Sequence, residues 1–264
     1  MDYTDSKKPA SEAFQRLIGI MDDLRAKCPW DREQTFESIR PLTIEETYEL
    51  SEAILEKDYN LIRKELGDLL LHIVFYSKIA EEDNRFDIVD VINSLCDKLV
   101  YRHPHIYGNV KVNDASQVVE NWEQLKIKEK DGNKTVLSGV PTALPALIKA
   151  NRIQEKVRAV GFDWDERSQV WDKVQEELNE LRHEVEVTNS TDDIEKEFGD
   201  LLFSVVNAAR LYGIDPETAL ERTNRKFMKR FAYLEQQTIQ MGRSLKDMTL
   251  DEMNEIWEEA KRFD

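Results

Sequence analysis

The sequence predicts an all-α fold made of two copies of one helical unit, on three observations. Apolar residues recur at three- and four-residue steps along most of the chain, with no sustained period-2 stretch. Only 9 Gly and 7 Pro punctuate the 264 residues, too few for turn-rich β structure. The third observation is internal repetition. IEETYEL at 44–50 reads again as QEELNEL at 175–181, and KELGDLLLHIVF at 64–75 returns as KEFGDLLFSVVN at 196–207. The offset is 131 from Glu45 to Glu176, and 132 both from Glu65 to Glu197 and from Asp68 to Asp200. Three further pairs keep the same order at similar spacing: Trp30-Asp31 with Trp164-Asp165, Lys98 and Arg102 with Lys226 and Arg230, and Trp122-Glu123 with Trp257-Glu258. Chance does not preserve that order.

Each element can be justified in turn. Phe14, Leu17, Ile18, Met21 and Leu24 mark a first amphipathic helix, with Ser11 as its expected N-cap. Thr43 before Glu46 has capping-box spacing, so the next helix is expected to start there, just after Pro41. From Leu61 to about Ala80, Leu66, Leu69, Leu70, Ile73 and Val74 form one broad apolar face. A helix from about Val89 to His103 stops at Pro104, and another begins near Ser116 and carries Trp122. Gly132, Gly139, Pro141 and Pro145 then cluster between two helical patterns. That cluster sets the expected boundary near 135, giving domains 1–135 and 136–264.

Charge narrows the partners. With 37 Lys+Arg against 53 Asp+Glu the formal net charge is −16, which argues against a nucleic-acid backbone or an anionic membrane as main partner. Cys28 and Cys96 lack CxxC spacing, and the N-terminus MDYTDSKKPA has no apolar stretch to serve as a signal peptide. The chain reads as a soluble, cytoplasmic protein.

The acids carry the chemistry. Glu46 and Glu49 share one helix face, as do Glu65 and Asp68 on the following helix. The short connection EKDYN makes the two helices antiparallel neighbours, so the pairs can face each other. At an effective dielectric near 20, each like-charged pair about 4 Å apart costs ~4 kcal/mol. Cations between them relieve that repulsion, and an oxygen-only donor set selects Mg²⁺ or Mn²⁺ over zinc. The second copy offers Glu177, Glu180, Glu197 and Asp200. An isolated ExxE is commonly just a solvated face. Here each set also brings a mid-helix glycine, Gly67 or Gly199, which costs about 1 kcal/mol against Ala and suggests close helix approach.

Other chemistries fit less well. A di-iron bundle needs two Glu-x-x-His motifs, and only Glu180 with His183 supplies one, since Glu52 stands at the first-copy position. No phosphate-binding glycine loop is present, and His103 with His105 reads as a helix end. The sequon at Asn189 has no meaning in a cytoplasmic chain. Lys98 with Arg102, and Lys226 with Arg230, are i, i+4 pairs that suit phosphate oxygens beside a metal. Trp122 and Trp257 are either core residues or stacking faces for a base. The competing class is a non-enzymatic acidic helical module.

The acidic block EExxE, the [KR]-E-[LF]-G-D-L-L block, CPWD near the start and RHPH in the middle together resemble the MazG family, from about Met21 to Arg262. That family belongs to the all-α NTP pyrophosphatases, related to dimeric dUTPases. The resemblance implies Mg²⁺-dependent hydrolysis of an NTP or dNTP to the monophosphate and pyrophosphate by a homodimer of tandem-domain chains. It places metal ligands on Glu177, Glu180, Glu197 and Asp200, with Glu46, Glu49, Glu65 and Asp68 matching them in the first copy. Nucleotide contacts fall on Lys173, Glu176, Lys196, Lys226, Arg230 and Trp257, and Glu176 is the carboxylate expected to orient the attacking water. Leu42 stands where the second copy has Lys173, so the second copy is expected to be the main active one.

Overall fold

The computed structural model describes residues 8–128, 135–164, 166–188 and 190–263, and these are helical with no strand among them. Asn189 of the sequon and Asp165 lie outside the described residues. The chain divides into two compact units, Met1–Lys111 and Val112–Asp264. This packing boundary precedes the boundary expected near 135, so the helix carrying Trp122 falls in the second unit.

The first unit holds α1 (Lys8–Lys27), α2 (Pro29–Glu33), α3 (Phe36–Glu56), α4 (Tyr59–Glu82), α5 (Ile88–Arg102) and α6 (Pro104–Tyr107). Its spine is the α3–α4 hairpin, with α1 packed on α4. Met21, Ile39, Val74, Phe75 and Ile79 form the buried core. Lys57 takes the left-handed conformation (φ 58°) that ends α3, and the Asp58 side chain accepts from the backbone N–H groups of Asn60 and Leu61 to start α4. A two-residue link of this kind leaves no room but for an antiparallel return.

Three local expectations change. Ser11 lies inside α1 rather than before it, so it is not the N-cap of that helix. α3 begins at Phe36 because Thr35 and Ser38 form a reciprocal capping box. Pro41 therefore sits within the helix, and the Thr43 hydroxyl instead contacts Ile39 O and the Tyr76 hydroxyl. The α4 face also splits. Val74, Phe75 and Ile79 are buried, while Leu66, Leu70 and Ile73 are exposed in the single chain.

The second unit holds α7 (Ala115–Lys128), α8 (Ala146–Arg158), α9 (Val170–His183), α10 (Thr191–Leu211), α11 (Pro216–Gln240) and α12 (Leu250–Ala260). The α9–α10 hairpin repeats the α3–α4 hairpin, with α8 packed on α10 and α11 as α1 packs on α4. A π turn, Glu184–Thr188, extends α9, and Ser190 caps α10. Leu234, Met248 and Ile256 form a second core between α11 and α12. Asp163 clamps the end of α8 to α10 by accepting two bonds from Arg210, at 3.0 and 2.5 Å. Burial would raise the Asp163 carboxyl, yet Arg210 and the Trp164 N–H hold it below the usual aspartate range. At Gly67 and Gly199 an added Cβ would meet nothing within 4 Å, so close helix approach within the chain does not explain these glycines. No described helix is long and apolar enough to cross a membrane.

Candidate active site

In the second unit, α9 and α10 bring ligand oxygens of Glu177, Glu197 and Asp200 within 4.8 Å of one another. The i, i+3 spacing on α10 puts Glu197 and Asp200 on one face, and Glu177 reaches them across the hairpin. Glu177 is buried (6% exposed). Glu197 Oε2 is buried without a hydrogen-bond partner. Burial first, then the charges of Glu180, Asp200, Glu177 and Glu184, push the Glu197 carboxyl above the usual range. Glu180 stands beside this trio, lining a depression of about 420 Å³ with Glu176, Glu197 and His183. Lys173 Nζ lies 2.8 Å from Glu176 and 2.7 Å from Glu177, and those two carboxylates raise its pKa.

The first copy builds a related but different cluster. Glu46, Glu49 and Glu65 converge within the same 4.8 Å, with Glu65 fully buried. Glu46 Oε2 and Glu65 Oε2 are buried without partners. Burial first, then Asp68, Glu49 and Glu65, raise the Glu46 carboxyl. Here the cation comes from the other helix. Lys64 Nζ lies 2.8 Å from Glu65, 3.5 Å from Asp68 and 4.0 Å from Glu49. Its counterpart Lys196 instead pairs with Asp193 at 2.7 Å.

The remaining expected residues sit on α11 and α12. Lys226 is exposed on α11. The Arg230 guanidinium lies 5.6 Å from the Trp257 ring centroid, and Trp257 packs at 4.9 Å on Phe227. His103 Nδ1 lies 2.6 Å from Leu99 O, which ties that histidine to the end of α5. Sequence reasoning missed a chamber of about 540 Å³ beside the second-copy carboxylates. Lys173, Glu177 and Asp200 line it together with Gln154, Phe162, Trp164 and Asn207. The available signal was a contrast between the copies: Asn207 is polar where the repeat has Phe75.

Comparison with known proteins assigns the family. The family model of the MazG nucleotide pyrophosphohydrolase domain matches twice, at residues 34–107 and 167–233. The chain belongs to the MazG family. Both acidic clusters fall inside the matched segments. The nucleoside triphosphate pyrophosphohydrolase/pyrophosphatase MazG of Thermotoga maritima is 42% identical over 260 residues, covering 97% of this chain and 99% of that protein. The nucleoside triphosphate pyrophosphohydrolase of Escherichia coli (strain K12) is also 42% identical, covering 94% and 97%. An uncharacterised Bacillus subtilis protein is 44% identical over 94% of this chain but only 51% of its own length. The chain is thus an enzyme of this hydrolase family.

Proposed function

We propose that the chain hydrolyses nucleoside triphosphates to the nucleoside monophosphate and pyrophosphate, using Mg²⁺ or Mn²⁺ held chiefly by the second copy. The unpartnered, buried Glu197 oxygen inside an all-carboxylate trio carries this reading. A hard divalent cation suits such a donor set, whereas zinc sites favour nitrogen and sulfur. Glu177, Glu180, Glu197 and Asp200 would hold it. When bound, the cation supplies charge neutralisation and polarises the phosphoryl oxygens.

The protein's own groups do the rest. Glu176 orients a water and takes its proton as the water oxygen attacks the α-phosphorus in line. The bond from that phosphorus to the bridging oxygen breaks, and pyrophosphate leaves. Lys173, held 2.7 Å from Glu177, lies within reach of the phosphate oxygens of a nucleotide at the trio. Lys226, Arg230 and Trp257, and Lys196 on α10, complete the proposed nucleotide contacts, with the cations offsetting charge on the leaving group.

A homodimer is part of the proposal. Leu66, Leu70 and Ile73 are exposed on α4, and their repeat partners Phe198, Leu202 and Val205 are exposed on α10. An apolar stripe kept at the same positions of both copies fits burial against a second chain. Sedimentation should find a dimer, and a monomer at micromolar concentration would remove this element.

Product analysis on NTPs and dNTPs with Mg²⁺, Mn²⁺ or EDTA tests the whole reading. Monophosphate and pyrophosphate are expected with metal, and no turnover in excess EDTA. Orthophosphate or nucleoside as product would overturn the regiochemistry. No turnover of any nucleotide would overturn the choice of nucleoside triphosphates as substrate.

A further inference from the structure

Two lysines at matching positions of the repeat point different ways. Lys64 precedes Glu65 and stands four residues before Asp68, just as Lys196 precedes Glu197 and stands four before Asp200. That spacing lets either ammonium reach the carboxylates of its own helix. Lys64 does so, with Nζ 2.8 Å from Glu65 and 3.5 Å from Asp68, and 4.0 Å from Glu49 across the hairpin. Lys196 does not. It turns back along α10 and pairs with Asp193 at 2.7 Å. Among the described residues Glu197 and Asp200 have no lysine or arginine partner, and Lys173 reaches Glu176 and Glu177 from α9.

One residue separates the two arrangements. Asp58 caps α4 and Ser190 caps α10, so the two helices start in the same register at an offset of 132. The third residue of α10 is Asp193, whose carboxylate lies one turn before Lys196. The third residue of α4 is Leu61, which offers Lys64 no counter-charge.

We propose that Asp193 is a positioning residue that holds Lys196 off the second-copy carboxylates and leaves them to a divalent cation, whereas Lys64, with no such partner, is the built-in cation of the first copy. A divalent cation entering either cluster competes with any ammonium there for the same oxygens and is repelled by its charge. The first copy keeps donors for a metal, since Glu65 is fully buried and both its Oε2 and Glu46 Oε2 lack partners. Lys64 is what contests them. In the second copy Lys196 stays beside the trio, where it serves as the proposed phosphate contact. Asp193 thus decides which copy offers its acids to a metal, an assignment that rests on the metal-dependent reading above.

The test exchanges Leu61 and Asp193 between the copies of the full chain and measures Mn²⁺ binding without nucleotide, from the free-Mn²⁺ electron paramagnetic resonance signal. Asp193→Leu should weaken the tighter class of Mn²⁺ sites about tenfold, because it gives Lys196 the freedom that Lys64 has. Adding Lys196→Gln to that variant should restore wild-type binding, which a purely structural role of Asp193 in starting α10 would not allow. Leu61→Asp should tighten the weaker class by a similar factor, about tenfold. Asp193→Ala serves if Asp193→Leu fails to fold. Unchanged Mn²⁺ binding in the folded variants overturns the positioning role and leaves the metal-dependent hydrolase reading standing. Weakened binding that Lys196→Gln does not restore overturns it too. A wild-type chain that binds no Mn²⁺ fails the metal reading itself, and this assignment with it.

Discussion

Glu197 gives the clearest sign for a pH experiment, because burial and four neighbouring acids all disfavour its charged form. Its folded-state pKa lies above the unfolded value, so within that window the folded chain holds a proton that the unfolded chain lacks. Stability from this group is therefore lost as pH rises through the window. In metal-free buffer Glu197→Gln should melt above wild type at pH 7, and the gap should close toward pH 4. Saturating Mg²⁺ should remove or reverse the gap at pH 7. Melting curves with EDTA and with Mg²⁺ check this, and a variant less stable than wild type at pH 7 without metal would contradict it. Glu180→Gln should abolish hydrolysis with little loss of stability, since it too relieves like-charge repulsion. A large fall in melting temperature without metal would make Glu180 a structural residue instead. The acids were legible residue by residue, because ExxE and ExxD fix faces on a helix whatever the tertiary structure. Gln154 and Asn207 were not, because their place beside the acids depends on how α8 packs on α10.

At the scale of the element, the hairpins could be read from sequence but their starts could not. Two capping signals compete near the start of α3, Thr35 with Ser38 and Thr43 with Glu46. The earlier one wins in the structure, because proline's fixed φ matches a helix and one lost bond at Pro41 is tolerated within an otherwise packed α3. Periodicity likewise marked α4 as apolar but could not say which side faces the core. Leu66, Leu70 and Ile73 are no less hydrophobic than Val74 and Ile79, and only packing separates them. The mid-helix glycines give an element-scale prediction. With open space around the added Cβ, Gly199→Ala should stabilise α10 by about 0.8–1 kcal/mol, the helix-propensity difference. Denaturant melts of the dilute chain measure it, and Gly67→Ala should behave alike. A loss of stability in either variant would mean that a second chain's surface packs on the glycine.

Across the whole molecule, duplication was readable because a constant offset survives divergence, whereas the division of labour between copies depends on packing that the repeat does not record. Both copies assemble three carboxylates within 4.8 Å, so the acids cannot say which copy works. The cations differ in origin. In the first copy Lys64 lies among Glu49, Glu65 and Asp68, where it offsets negative charge from inside the cluster. In the second copy Lys173 lies at the edge, on Glu176 and Glu177, and lines the chamber. Leu42, the residue at the Lys173 position, sits on α3 four residues before Glu46 and has no charge to offer a phosphate. A late start of that helix is no part of the reason, since α3 already begins at Phe36. Glu177→Gln combined with Glu180→Gln should therefore nearly abolish pyrophosphate release. Glu46→Gln combined with Glu49→Gln should leave most of it, since neither the chamber nor Lys173 belongs to that copy. Steady-state kinetics on the two double variants, each checked for its melting temperature, decide the matter. The reverse ranking would show that the lysine and the chamber are the wrong discriminators, and that the cluster around Lys64 is the working centre.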